Sequence, residues 1–205
     1  MKPTDIILLV LFSALFLALF AILIAFSIKY KSPEARGKRG EKKVAKMLLK
    51  VKKQCGGYVM NDVSLPIGKT EAQIDHIYIC SKGIFVIETK NYSGIIYGDE
   101  SSKYWVQVLG NGKIKHNHYN PLMQNETHAH AVRRLVWKWV PVIPMVVFVK
   151  GNIYCIRSRR VFSLSTAKSA IISQQDFLNN SQVDDIYTKI TKVNLSNKKT
   201  NPQNY

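Results

Sequence analysis

Cysteine is scarce and unpaired in this chain. Cys55, Cys80 and Cys155 stand far apart, odd in number and without a CxxC spacing. That pattern excludes a disulfide framework and a thiolate zinc site, and it fits a reducing compartment. Acidic residues are also few, with 13 Asp and Glu against 30 Lys and Arg and a formal net charge of +17. Lys2 and Asp5 cancel, so the whole excess lies from Lys29 onward. Such a surface points to a polyanionic partner, nucleic acid or an anionic membrane face, with a merely solvated surface as the plainer alternative. No internal repeat is visible, which excludes a solenoid or propeller. The 205 residues are enough for one sizeable core.

One long apolar run is present. Residues 6–28 are interrupted only by Ser13 and Ser27. As a helix they would extend roughly 34 Å, enough to cross a hydrocarbon core of about 30 Å. A cleaved signal peptide has an apolar core of only about 7–15 residues, so the run reads as a transmembrane anchor. Before it stands only Lys2. After it come Lys29, Lys31, Arg36, Lys38, Arg39, Lys42, Lys43 and Lys46. The positive-inside rule predicts a single-pass protein of the inner or plasma membrane with its C-terminal domain in the cytoplasm. The basic collar is also suited to rest on anionic lipid.

The remainder reads as one mixed α/β domain with a central sheet flanked by helices. Ser32-Pro33 opens a basic helix to about Lys53, closed by Gly56-Gly57. Strands are predicted at Tyr58–Leu65, Gln73–Cys80 and Ile84–Lys90. A hairpin follows, Lys103–Leu109 turning through Gly110-Asn111-Gly112 into Lys113–His116. Asn120-Pro121 fits N-cap and N1 of a helix to about Trp139. Val142–Val149 reads as a buried strand, with short strands near Ile153 and Val161. A further helix is placed at Gln174–Leu178 or at Val183–Ile190. The expected organisation is an anchor with its short tail over 1–31, a juxtamembrane helix of the core over 32–57 and a main domain over 37–150. An extension packing on that domain over 151–193 and a disordered tail over 194–205 complete it.

The stretch GIFVIETKNYSG, residues 83–94, begins as a buried strand and ends in opposite charges. Side chains alternate along a strand, so Ile84, Val86, Glu88 and Lys90 share a face. In the preceding strand Asp75 shares a face with Ile77 and Ile79. A hairpin of the two strands would bring Asp75 near Glu88. Burying both carboxylates is costly without a cation. Asp75, Glu88 and the backbone carbonyl of Thr89 would offer hard oxygen ligands to Mg²⁺ or Mn²⁺. Lys90 would place a point charge beside an attacked phosphate. Glu41 lies three and seven residues before Val44 and Leu48, on the apolar stripe of the first soluble helix. From there it could hold the metal's water shell, assist the base or bind the metal. The plain alternative is a salt bridge between Glu88 and Lys90 at a strand end.

Gly40-Glu41, YVMNDVSLP from Tyr58, QIDHIYI from Gln73, GIFVIETKNYSG from Gly83 and NPLMQNETHAH from Asn120 occur in order over residues 37–150. Together they resemble the NERD (nuclease-related) domain, a relative of the PD-(D/E)XK nucleases. The resemblance implies a restriction-endonuclease-like core and Mg²⁺-dependent phosphodiester cleavage, with DNA ahead of RNA. It implies the D…E-x-K places for Asp75, Glu88 and Lys90. It also implies the helix acid's place for Glu41 and the glutamine after the sheet for Gln124. Ile74 stands where the superfamily has proline, which contributes no ligand.

Gln124 shares a helix face with His128, Ala131 and Leu135. Three other signals carry little. His116-Asn117-His118 spells HNH, but the residues of that nuclease type are dispersed through a ββα unit. His128 and His130 point to different helix faces. Trp137 and Trp139 more simply pack a helix end or lie near a bilayer interface. Two functions follow. One is a membrane-anchored, metal-dependent nuclease. The other is a non-catalytic basic module tethering nucleic acid or a protein partner to the membrane; a third, blander reading assigns the basic collar to lipid and leaves the domain as an assembly factor.

Overall fold

The computed structural model describes residues 3–194, and within the first helix the side chains of Thr4, residues 11–24 and Ser27. The chain divides into two compact units, Met1–Arg39 and Gly40–Tyr205. The first unit contains helix α1, Pro3–Lys31, and the opening turns of α2, Pro33–Cys55. Ser32 caps α2, its hydroxyl accepting from the Ala35 amide at 3.1 Å. Every described side chain of α1 from Leu11 to Ile24 is exposed. That stretch is roughly 21 Å of helix against the roughly 30 Å of a hydrocarbon core. Among the described residues, no helix is long and apolar enough to cross a membrane. The other side chains of the expected 6–28 span, Ser27 apart, lie outside the described residues. So does the expected tail over 194–205, Asn194 apart.

The second unit is built on a mixed seven-stranded sheet. Its strands are β1 (Tyr58–Ile67), β2 (Thr70–Cys80), β3 (Gly83–Asp99), β4 (Tyr104–Leu109), β5 (Ile114–Tyr119), β6 (Val142–Arg157) and β7 (Val161–Ser163). Helices α3 (Pro121–Arg133), α4 (Leu164–Ile172) and α5 (Asn180–Val193) complete it. β1 and β2 pair antiparallel, as do β2 with β3 and β4 with β5. β6 runs parallel to β3, and β7 parallel to β6.

β3 is longer than its apolar run predicts, and one of its flanks is shared. Ile84–Ile87 pair with β2, whereas Ile95–Tyr97 pair with β4. On the other flank β6 accompanies it along much of its length, with register shifts after Lys90 and Asn91. The sequence marks the start of β3 by hydrophobicity, but its continuation is a tertiary effect of β4 and β6. In the same way β6 continues past Val149 to Arg157, so the residues near Ile153 extend it. A boundary at 150/151 falls inside one strand.

The sheet buries both faces. Ile77, Ile79, Ile84 and Val86 pack with Ala129 and Val132 of α3 and Ile186 and Ile190 of α5. Tyr78, Phe85 and Ile87 pack with Val44, Leu48 and Val51 of α2 and Ile171 of α4. Helix α3 starts as expected, Asn120 Oδ1 accepting from the Leu122 amide at 2.8 Å. It ends at Arg133, earlier than its apolar pattern suggests. Trp137 and Trp139 therefore lie beyond the helix, stacked on each other at 5.7 Å. The C-terminal helices are α4, which the sequence reading did not place, and α5, which contains Val183–Ile190. Gln174–Leu178 is not helical.

Candidate active site

The site lies in a gap along one flank of β3. The β2 ladder ends at the pair His76–Ile87 and the β4 ladder begins at Ile95. Between them the backbone of β3 faces no strand on that side, and its polar groups turn to side chains. Asp75 Oδ2 accepts from the Thr89 amide at 2.7 Å. The Ser93 carbonyl accepts from Gln107 Nε2 at 2.7 Å. The β2–β3 register continued by one step sets Asp75 opposite Glu88. In a strand the N–H and C=O of a residue point to the same side, so the Thr89 carbonyl faces this gap with its amide.

Glu88 is 3% exposed, buried where its strand would otherwise continue an apolar row. Its Oε1 accepts from Lys90 Nζ at 2.6 Å. Lys90 Nζ also donates to Gln124 Oε1 at 3.1 Å, so one ammonium links β3 to α3. Glu88 Oε2 has no hydrogen-bond partner, and neither has His128 Nδ1, which stands 3.5 Å from it. Burial first, then the Lys90 charge, lowers the His128 pKa to about 4, so its imidazole is neutral at pH 7. The helix that carries Gln124 and His128 is pinned by Asn125. Its buried Nδ2 donates to the carbonyls of Val86 and Met145 at 3.0 and 2.9 Å.

Burial is the leading influence on all three charged groups. It raises the Asp75 carboxyl, and the Glu88 charge raises it further, against the Thr89 amide and Lys90, to about 7. Burial also raises Glu88, with Lys90 opposing and the charge of Glu41 adding to the rise. For Lys90, burial favours the neutral amine, but Glu88, Tyr92 and Asp75 outweigh it and the pKa is raised. The group is therefore a firmly charged ammonium beside two carboxyl groups that lack enough positive charge.

Glu41 reaches this neighbourhood because α2 approaches β3 closely at Gly40. A Cβ there would stand 2.8 Å from Cβ of Asn91. The structure thus brings Asp75, Glu88, Lys90 and Gln124 together and sets Glu41 close enough to act on Glu88. Among the described residues, no three His, Cys, Asp or Glu side chains are grouped so that they could hold a metal ion.

Several neighbours were not singled out from the sequence. Asp62 lies opposite Asp75 in the β1–β2 register, in a left-handed conformation at φ 55°, and its charge also raises Asp75. Gln73 hydrogen-bonds Asp62. Tyr92 stacks on His118 with centroids 4.2 Å apart, and His118 feels the Lys90 charge. His128 had one legible signal, its place one turn after Gln124. Asp62 had none, because its relation to Asp75 depends on strand register. His116 and His118 lie two apart on β5, and His118 is taken up by Gln107 at 2.9 Å.

A family model described as a nuclease-related domain matches residues 36–149. An uncharacterized protein of Bacillus anthracis is 35% identical over 180 residues, covering 83% of this chain and 82% of its own. No solved structure matches.

Proposed function

Because the chain belongs to the nuclease-related domain family, we propose that it is a divalent-metal-dependent nuclease of the PD-(D/E)XK type. It hydrolyses phosphodiester bonds, in DNA ahead of RNA, in a restriction-endonuclease-like core. The observation that carries this reading is the meeting of Asp75, Glu88, Lys90 and Gln124 in the gap between β2 and β4.

The donor set fits a hard cation. Glu88 Oε2 is buried without a hydrogen-bond partner, and Asp75 is pushed up to about 7 by burial and by Glu88. Asp75, Glu88 and the Thr89 carbonyl would hold Mg²⁺ or Mn²⁺, with Glu41 at its water shell or as a further ligand. Bound there, such an ion supplies Lewis-acid charge at a phosphoryl oxygen and a bound water of lowered pKa. An ammonium has three donors, and Lys90 commits two to Glu88 and Gln124. The third serves a phosphoryl oxygen as negative charge grows in the transition state. Gln124 fixes the ammonium through its Oε1, leaving its Nε2 to orient a water or a phosphate. Neutral His128 fills the space beside Glu88 without competing for its charge.

The proposal extends to the membrane. From Leu11 to Ile24 the side chains of α1 are apolar on every face apart from Ser13, and Leu11, Phe12, Phe16 and Leu17 are all more than half exposed. A water-soluble chain does not leave such a surface uncovered. A single-pass anchor over 6–28, with the catalytic unit on the cytoplasmic side, accounts for it. A reporter fused after Tyr205 tests the topology: protection from protease added to the cytoplasmic face would invert it.

The deciding experiment is cleavage of labelled single- and double-stranded DNA with Mg²⁺, Mn²⁺ or EDTA, beside Glu88→Ala and Lys90→Ala. Metal-dependent cutting lost in both variants supports the nuclease. Salt-sensitive binding without cutting, unchanged in the variants, would make the protein a tether with a structural ion pair.

A further inference from the structure

A second basic feature lies outside the gap. A groove of about 740 Å³ opens between α2, the outer part of β6 and the start of α4. Lys43, Lys46, Lys50, Lys150 and Lys168 line it, and no Asp or Glu does. Lys43, Lys46 and Lys50 recur at spacings of three and four, so they stand on one face of α2. That face flanks the buried stripe of Val44, Met47, Leu48 and Val51. None of the five lysines makes an ion pair within the described residues. Elsewhere on the surface Arg133 and Arg160 are paired with Glu126, and Arg160 with Glu100. Five ammonium groups converging on one concavity repel one another and leave the groove's charge uncompensated.

The groove shares two elements with the candidate active site but lies on the sheet face covered by α2 and α4, opposite the face that carries Glu88 and Lys90. On α2, Lys43 is two residues from Glu41. On β6, Lys150 pairs in register with Asn91, the residue after Lys90. We propose that this lysine groove is a nucleic-acid backbone site that holds phosphates of the bound strand on the sheet face opposite Glu88 and Lys90. The inference rests on the phosphodiester substrate proposed above. The groove has the right charge for a polyanion and lacks carboxylates that would repel one. Lysine heads offer point charges without the planar fork that reads base edges, so the groove tracks phosphates and leaves sequence unread.

The test measures binding in EDTA, where cleavage plays no part. The full chain in detergent is titrated onto fluorescein-labelled duplex and single-stranded DNA between about 50 and 200 mM salt. Wild type is compared with Lys43→Gln/Lys46→Gln/Lys50→Gln and with Lys150→Gln/Lys168→Gln. A charge-matched control, Lys69→Gln/Lys138→Gln/Lys192→Gln, changes exposed lysines outside the groove. The triple groove variant should bind about tenfold or more weakly at low salt. Its slope of log affinity against log salt should be shallower by about 2–3, as expected for three lost phosphate contacts. The control should show a clearly smaller change in both. Equal losses in the two triple variants, or wild-type binding by the groove variants, would overturn the proposal. In parallel, flotation with phosphatidylserine or phosphatidylcholine vesicles tests a lipid occupant. Loss of phosphatidylserine preference with DNA binding intact would assign the groove to anionic lipid and overturn it too. Groove-dependent DNA binding by a chain that never cuts would leave this site standing while removing the nuclease. Cutting with groove variants unaffected would do the reverse.

Discussion

The two halves of β3 put one strand to opposite uses. From Ile84 to Ile87 it is laddered on both flanks, by β2 and by β6, and its side chains are apolar and buried. From Glu88 the β2 flank is open, and carboxylates, an ammonium and amides take over. The closed half is stabilised by burial, which needs only apolar volume on two faces. The open half has backbone groups without a neighbouring strand, and these recruit polar side chains into a buried place. Buried charge is only partly offset there: Lys90 meets Glu88 and the Thr89 amide meets Asp75, but Glu88 Oε2 has no partner. The difference shows how a sheet can host an ionic site: end a ladder early on one flank and keep the other flank laddered.

Substitutions should strike one half and spare the other. The largest expected effects are on cleavage. Lys90→Ala should reduce it by about 10²–10³-fold, and Glu88→Ala should reduce it to background, with the fold kept by circular dichroism. The matching insult to the closed half is Phe85→Ala. Phe85 is 1% exposed between the sheet and α2. Its loss should cost about 3–5 kcal/mol in denaturant unfolding. If Phe85→Ala left stability unchanged, the two-sided core would be wrong.

A subtler separation uses pH. The Asp75 carboxyl is raised from its ordinary value of 3.8 to about 7 in the folded protein. Below about pH 4 it is protonated in both folded and unfolded states, and its contribution to stability is complete. Between about 4 and 7 the folded state keeps a proton that the unfolded state has released, so stability falls as pH rises and levels off beyond 7. Thermal melts of metal-free protein should therefore show Asp75→Asn gaining on wild type as pH goes from 5 to 8. Added Mg²⁺ should restore wild type at pH 8, by about 2.7 kcal/mol at a hundredfold excess over Kd, and leave Asp75→Asn unmoved. A flat difference across that range would place Asp75 in solvent.

Two smaller effects test the supports of the open half. A methyl at Gly40 meets Asn91, so Gly40→Ala should cost about 1–3 kcal/mol and lower cleavage by shifting Glu41. Gln124→Ala should lower cleavage least, on the order of tenfold, because Lys90 keeps its bond to Glu88. A loss as large as that of Lys90→Ala would give Gln124 a direct role at the phosphate.

Much of this was legible in the chain. Period-2 alternation and turn residues mark β1, β2 and the start of β3, because those signals are local. The same alternation puts Glu88 and Lys90 on one face, and Asn120-Pro121 marks the start of α3. Local chemistry also sets Glu88 at the end of an apolar row two residues before a cation, where a plain strand-end salt bridge fits as well as a buried site. Long-range pairing was not legible. The parallel union of β3 with β6 and the early end of the β2 ladder depend on distant segments. So do the opposition of Asp62 to Asp75 and the approach of α2 at Gly40. A single residue cannot advertise which strand will lie beside it, because register is set by the packing of whole faces. Residue types therefore declared the chemistry available to this protein. The fold alone decided which of those groups meet, through one flank of a strand left open.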